Sequence, residues 1–276
     1  MILLIAFTIL SILVTGLYVY FIEYLKNGVL YYTIPIVFII SFIALIILLI
    51  IFLYICLLFR PKSKTEPTRF YSFFTTQVAM AVSFLSGVKV IKENFDLLPN
   101  KKFLFVSNHQ SLQDPVAIIG FTGKQRMTYI MKDGIMKIPF VGRWLYAAGF
   151  LPIDRKNDRN ALKTIITAGK RLKEGHPIAV FPEGTRSGSK NIGGFRNGIF
   201  KIAQKVEAPI VVCLVDNFYA VRNRFPLKRT KTLIRICEVI PYEDIKDLHT
   251  NEIGDKVRDI LIKNQEEARV KYSWIK

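Results

Sequence analysis

A histidine five residues ahead of an aspartate is the first pair in this chain that could move a proton. Residues 108–114 read NHQSLQD, which places His109 and Asp114 on one short segment. The run Phe103–Ser107 just before it predicts a strand. Asp114 followed by Pro115 predicts a helix start, with Asp at the N-cap and Pro at the first helical position. The pair therefore falls on a strand-to-helix turn, and open α/β sheets bind ligands beyond the carboxyl ends of their strands. On a continuous helix five residues would separate the two side chains, whereas across a turn they can meet. A carboxylate held against one imidazole nitrogen fixes the tautomer and raises the basicity of the other, which suits a base for a hydroxyl. Taken alone, the spacing also fits a helix cap beside an incidental histidine. Of the other two histidines, His176, in a turn before a strand, reads as structural, and His249, in a polar stretch, reads as a solvated surface residue.

A second signal binds anions. Residues 181–187, FPEGTRS, follow another predicted strand, Pro177–Phe181. Gly184 exposes backbone N–H groups, Thr185 and Ser187 add hydroxyls, and Arg186 offers a planar fork matched to phosphate. An ordinary Pro-Glu-Gly turn accounts for the same residues when they are read in isolation. Residues 149–155, GFLPIDR, bring Arg155 to the end of a third strand, and residues 208–214, APIVVCL, form an apolar strand that alone reads as structural.

The elements that must hold these groups alternate. Strands are expected at Phe103–Ser107, Thr128–Met131, Phe150–Ile153, Pro177–Phe181, Pro209–Val215 and Thr232–Ile240. Helices are expected from Asp114, over Ala161–Lys173 and Gly198–Val206, and as an amphipathic closing helix over Asn251–Arg269. That order predicts an α/β body with a largely parallel or mixed sheet flanked by helices.

Composition divides the chain. Of its 276 residues, 1–59 carry two charges, Glu23 and Lys26, so the whole net charge of +18 falls on residues 60–276. Met1–Ile22 and Val29–Phe59 are uncharged runs of 22 and 31 residues, and about 20 apolar residues cross a bilayer core. No Lys or Arg precedes Lys26 and no Ala-x-Ala site follows, which favours retained helices over a cleaved signal peptide. Pro35 marks the start of the second span, and the short link Glu23–Gly28 makes the two a hairpin. Arg60, Lys62, Lys64 and Arg69 crowd the exit of the second run, which places residues 60 onward in the cytoplasm. Phe70–Ser86 is a third uncharged stretch, interrupted by hydroxyl and amide residues; a helix at the membrane interface and a helix packed on the body both remain open. The expected organisation is 1–59 transmembrane hairpin, 60–87 basic linker and interfacial helix, and 88–276 catalytic domain.

Several classes fall away. Cys56, Cys213 and Cys237 have no framework or CxxC spacing, which argues against a disulfide scaffold or structural zinc. Walker A, GxGxxG and GxSxG motifs are missing from the sequence. A nucleic-acid binder would interleave aromatic with basic residues on one face, but the aromatics here sit mainly in the anchor and core runs.

NHQSLQD, GFLPIDR, FPEGTRS and APIVVCL, in this order and at these separations, resemble the four blocks of the glycerophospholipid acyltransferase family, most closely the bacterial 1-acylglycerol-3-phosphate (lysophosphatidate) acyltransferases. The resemblance covers roughly Val88–Val215. It implies that His109 is the general base and Asp114 its orienter, that Arg155, Glu183, Gly184, Thr185 and Arg186 shape the acceptor-phosphate site, and that the fourth block lies on the acyl-chain side. It implies transfer of an acyl chain from acyl-CoA or acyl carrier protein to the sn-2 hydroxyl of lysophosphatidate, giving phosphatidate at the cytoplasmic membrane. Neither a cofactor, a metal nor an acyl-enzyme is expected. The same fold acting on glycerol 3-phosphate, another lysophospholipid or a lyso-aminolipid remains an alternative. One departure is that residues 195–198, FRNG, keep a single cation where the family often has a basic pair.

Overall fold

The computed structural model describes residues 1–24, 31–60, 66–100, 102–154, 157–224 and 228–275. The chain forms two compact units, Met1–Lys64 and Thr65–Lys276.

The first unit is a helical hairpin of α1 (Ile2–Tyr24) and α2 (Thr33–Phe59). The helix α2 starts two residues before Pro35, which therefore lies in the first turn, where its missing N–H costs no intrahelical bond. The helices pack through an edge-on contact of Phe7 with Phe42 and a hydrogen bond from Tyr18 Oη to Thr33 Oγ1 at 3.0 Å. Both are long and apolar enough to cross a membrane, over 22 and 27 residues. Their outward side chains are those a soluble core would bury: Leu17 is 68% and Ile40 61% exposed. The link expected over residues 23–28 falls mostly outside the described residues, as do Lys62 and Lys64.

The second unit opens with α3 (Arg69–Leu85), capped by Thr68, whose hydroxyl accepts the Tyr71 N–H. The chain continues through β1 (Val88–Glu93), β2 (Leu104–Ser107), α4 (Gln113–Phe121), β3 (Thr128–Lys132), α5 (Asp133–Met136), α6 (Val141–Ala147), β4 (Leu151–Ile153), α7 (Asp158–Lys173) and β5 (Ile178–Val180). It ends with α8 (Lys201–Lys205), β6 (Ile210–Asp216), α9 (Val221–Arg224), β7 (Thr230–Ile240) and α10 (Thr250–Lys271). The strands form one seven-stranded mixed sheet in the order β1-β7-β6-β2-β5-β3-β4. From β6 to β4 all neighbours run parallel, whereas β7 runs antiparallel to β6 and carries β1 parallel to itself.

Strand order and connection handedness decide which helix covers which face. From β2 through α4 to β3, and on to β4, the chain moves one way along the sheet; through α7 and α8 it returns. Right-handed crossovers put these two sets of helices on opposite faces. The return face holds the main core, where Ala168 and Leu172 of α7 meet Ile202 and Ala203 of α8 and Ile253, Val257 and Leu261 of α10 over Leu104, Ile178 and Ile210. On the other face α3 lies against α4 and α6, where Trp144 donates its indole N–H to Thr75 Oγ1 at 2.9 Å and meets the ring of Tyr71 edge-on. Phe70, Phe73, Phe84 and Leu85 of this layer stay exposed.

Two expectations change. The strand β1 was not foreseen, because Lys89 and Lys92 break its apolar run. The expected helix over Gly198–Val206 is a 3₁₀ turn at Asn197–Phe200 followed by the short α8. His249 is exposed, as expected of a solvated surface residue, and it also caps α10, its backbone N–H donating to Glu252 Oε2 at 2.6 Å.

Candidate active site

The carboxyl end of β2 delivers His109. Asn108 holds that end in place, because its side-chain amide pairs with both backbone groups of Val215 on β6, at 2.9 Å each. Chain direction then turns sharply, and the Asp114 carboxylate fills the turn. Its Oδ2 accepts the backbone N–H groups of Gln110 at 2.5 Å and Ser111 at 2.7 Å, and lies 2.8 Å from His109 Nδ1. Asp114 is therefore not the N-cap expected from Pro115. The helix α4 begins at Gln113, and the carboxylate faces back into the turn rather than forward along the helix. That removes the plain-cap reading and leaves an aspartate that orients an imidazole. Asp114 is fully buried, whereas the His109 side chain keeps 15% of its surface exposed. With Nδ1 engaged, Nε2 is the nitrogen left to exchange a proton. Burial pushes the Asp114 carboxyl up from its ordinary value, and the donors from His109, Ser111 and Gln110 oppose that push.

The loop after β5 is fastened to this turn. Glu183 Oε1 accepts the His109 backbone N–H at 2.7 Å, while Oε2 accepts that of Gly193 at 2.9 Å. Ser187 N–H donates to His109 O at 2.8 Å and Gly188 N–H to Gln110 O at 3.2 Å. The His109 ring stacks on Phe181, with centroids 4.4 Å apart. The Glu183 carboxylate is thus occupied on both oxygens by backbone donors. It shapes the site by tying the turn after β2 to two points of the loop after β5. Desolvation pushes its pKa up, against the pull of those two backbone hydrogen bonds.

Behind the turn lies a buried polar chain. Gln110 donates from Nε2 to Asp216 Oδ1 at 3.0 Å and accepts the Phe218 N–H through Oε1. Asp216, fully buried at the end of β6, receives Arg269 Nε from α10 at 3.2 Å. Arg269 and Gln265 both donate to the Lys190 carbonyl, which ties α10 to the loop that follows FPEGTRS.

The anion-binding candidates divide. Thr185 and Arg186 are exposed, and their N–H groups have no partner among the described residues. Gly184 adopts φ +71, where a Cβ would stand 3.1 Å from Arg196 Nε. Its own N–H donates to Phe181 O at 3.0 Å, so it is not available to a ligand. Ser187 is also committed, donating to the Ser189 carbonyl at 3.0 Å. Arg155 lies outside the described residues.

Sequence reading missed the Phe181 stack, the double grip of Glu183 and the Gln110–Asp216–Arg269 chain. The last joins residues up to 159 apart in sequence, and no local spacing encodes it. Arg196 was visible only as one of several cations after the third block.

Comparisons with known proteins give the family. The family model Acyltransferase matches residues 88–216. A probable 1-acyl-sn-glycerol-3-phosphate acyltransferase of Mycoplasma genitalium is 30% identical over 191 residues, which are 64% of this chain and 71% of the relative. The 1-acyl-sn-glycerol-3-phosphate acyltransferase of Borreliella burgdorferi is 25% identical over 204 residues, or 72% of this chain and 81% of that one. Among solved structures, the crystal structure of the 1-acyl-sn-glycerophosphate acyltransferase PlsC from Thermotoga maritima shares the fold with a TM-score of 0.64, at 24% identity, covering 96% of this chain and 99% of its own. With 30% identity across 71% of the Mycoplasma genitalium relative, and with the Acyltransferase model matching from β1 to the end of β6, the chain belongs to the acyltransferase family.

Proposed function

We propose that the enzyme transfers an acyl chain from a thioester to the sn-2 hydroxyl of 1-acylglycerol 3-phosphate, giving phosphatidate. The observation that carries the proposal is the 2.8 Å contact of His109 Nδ1 with the buried Asp114, at a histidine whose ring is partly open. The acceptor hydroxyl gives its proton to His109 Nε2 and attacks the thioester carbonyl. The tetrahedral oxyanion is met by backbone N–H groups of Thr185 and Arg186. It collapses with cleavage of the C–S bond, and the departing sulfur takes the proton from the imidazolium. Charge and atoms balance without a metal, a cofactor or an acyl-enzyme. Arg186 and Arg196, with Arg155, supply the positive charge that an acceptor phosphate needs. Relatives named 1-acyl-sn-glycerol-3-phosphate acyltransferases support this acceptor. In this reading α1 and α2 anchor the enzyme in the cytoplasmic membrane, the catalytic unit faces the cytoplasm, and α3 lies at the interface.

The test is an acceptor panel on purified enzyme: lysophosphatidate, glycerol 3-phosphate, a neutral-headgroup lysophospholipid and a lyso-aminolipid. Lysophosphatidate should be the preferred acceptor. His109→Ala should cost roughly two to four orders of magnitude in turnover while the protein still folds. Preference for an acceptor without a phosphomonoester, or more than about a tenth of the unaltered turnover in His109→Ala, would overturn the reading.

A further inference from the structure

The His109 ring is held by one edge and by one face. At the edge, Nδ1 lies 2.8 Å from the Asp114 carboxylate. At the face stands the ring of Phe181, with centroids 4.4 Å apart and planes 26° from parallel. An edge contact alone leaves the plane of the ring loosely defined, because the torsion about an sp³–sp² bond is broad. The Phe181 face closes one side of the imidazole and restricts that rotation. The plane in which Nε2 must meet the acceptor hydroxyl is then set before the substrate arrives.

Phe181 is itself fixed. It directly follows β5, and Pro182 restricts it to extended backbone. Its carbonyl accepts the Gly184 N–H at 3.0 Å, and the next carbonyl, that of Pro182, accepts the Arg196 N–H at 2.9 Å. Two residues along, Glu183 holds the His109 backbone N–H. The aromatic ring is therefore tied to the same turn as the histidine it covers.

The stack changes character as the proton moves. The acceptor hydroxyl passes its proton to Nε2, the ring becomes an imidazolium, and the proton leaves again with the sulfur when the C–S bond breaks. A neutral imidazole meets Phe181 mainly through dispersion. An imidazolium adds attraction to the negative π face. That attraction exists only while the proton is on the ring, so it lowers the barrier without tightening ground-state binding. We infer that Phe181 is a positioning residue for acyl transfer, whose ring face sets the His109 plane and stabilises the imidazolium that forms in the reaction. The inference rests on the general-base reading above and adds a second partner for the base. A plain packing role and a wall of the substrate site are the rival assignments.

The experiment replaces Phe181 in the full-length enzyme with phenylalanines carrying one, two and three ring fluorines, which keep the shape of the ring but withdraw charge from its face. Phe181→Tyr and Phe181→Leu complete the series. Single-turnover rates and KM are measured with lysophosphatidate in micelles and one acyl chain presented on CoA and on acyl carrier protein. The rate should fall stepwise with each fluorine, roughly three- to thirtyfold in all, and by a similar factor in Phe181→Leu. Phe181→Tyr keeps an electron-rich face and should stay within about threefold of the unaltered rate. Both KM values should stay within about twofold throughout, because no substrate contact is removed. In a His109→Ala background, Phe181→Leu should cost nothing further. A rate indifferent to fluorination would assign Phe181 to packing, and a rise in KM with the rate unchanged would make it a substrate wall. Either result, or an equal loss in the His109→Ala background, would overturn the inference while leaving the acyltransfer reading intact. More than about a tenth of the unaltered turnover in His109→Ala would instead overturn the base assignment, and the role of Phe181 with it.

Discussion

At the residue scale the site depends on one carboxylate holding three donors. Asp114 Oδ2 gathers His109 Nδ1 and two backbone N–H groups into one turn. Removing it would free the ring and the loop together, so Asp114→Asn mixes two effects. Asp216 is a cleaner probe of positioning, because it reaches the turn only through Gln110. Asp216→Asn keeps an oxygen for Gln110 and Asn217 but takes the buried carboxylate away from Arg269, itself a quarter exposed. Turnover should fall while the acceptor KM changes little, because no phosphate-binding group moves. A KM rise with kcat unchanged would show that Asp216 acts on the substrate side. Arg186→Lys gives the opposite pattern: lysine cannot make a two-pronged phosphate contact, so the acceptor KM should rise more than the donor KM. An effect confined to the donor would move Arg186 to the thioester side.

At the element scale a second charged cluster closes the far edge of the sheet. Glu93, the last residue of β1, accepts Arg235 Nε of β7 at 2.6 Å, Lys271 Nζ at the end of α10 at 2.5 Å and Tyr272 Oη at 2.6 Å. Burial alone would raise its pKa, but the hydrogen bonds from Lys271, Tyr272 and Arg235 outweigh burial and hold it at about 2. A carboxyl depressed in the folded state stabilises the protein above its ordinary value near 4.5, and that contribution is lost as pH falls toward 2. Glu93→Gln should therefore melt below the unaltered protein at pH 7, with the gap narrowing between about pH 4.5 and pH 2. Thermal melts in detergent across that range would read it, and a gap independent of pH would refute the charge mechanism. The same cluster pins β1, which has only β7 as a strand neighbour, to the end of the chain.

At the scale of the whole molecule, in the proposed reading, an apolar hairpin and a body of charge +18 would meet an anionic membrane by different physics. Each basic residue near an anionic surface contributes roughly 1 kcal/mol, a contribution that salt screens. Without residues 1–59, the remaining chain keeps every residue assigned to the site. It should still bind anionic vesicles at low salt and release them at high salt, with reduced activity on membrane-embedded acceptor that partly recovers in micelles. Vesicle binding indifferent to salt and lipid charge would show that the exposed aromatics of α3 do the docking. Cysteine labelling at positions 28 and 187 tests the orientation, and a reagent reaching position 187 only from outside the cell would reverse it.

What the sequence by itself determined were the features carried by local spacing and periodicity. The two long uncharged runs and the alternation of strands and helices depend on neighbours in the chain, and the His109–Asp114 spacing marked a candidate pair that only the folded turn joined. Tertiary structure alone decided what depends on distant segments. β7 reverses direction against β6, and α7 turns to the face opposite α3, because strand order and crossover handedness are properties of the assembled sheet. Glu183 is read in sequence as part of an anion turn, yet the fold brings His109 and Gly193 to its two oxygens. A buried carboxylate must find donors, and those donors came from the turn 74 residues back in the chain and from a residue 10 further along its own loop. Only the folded chain places them there.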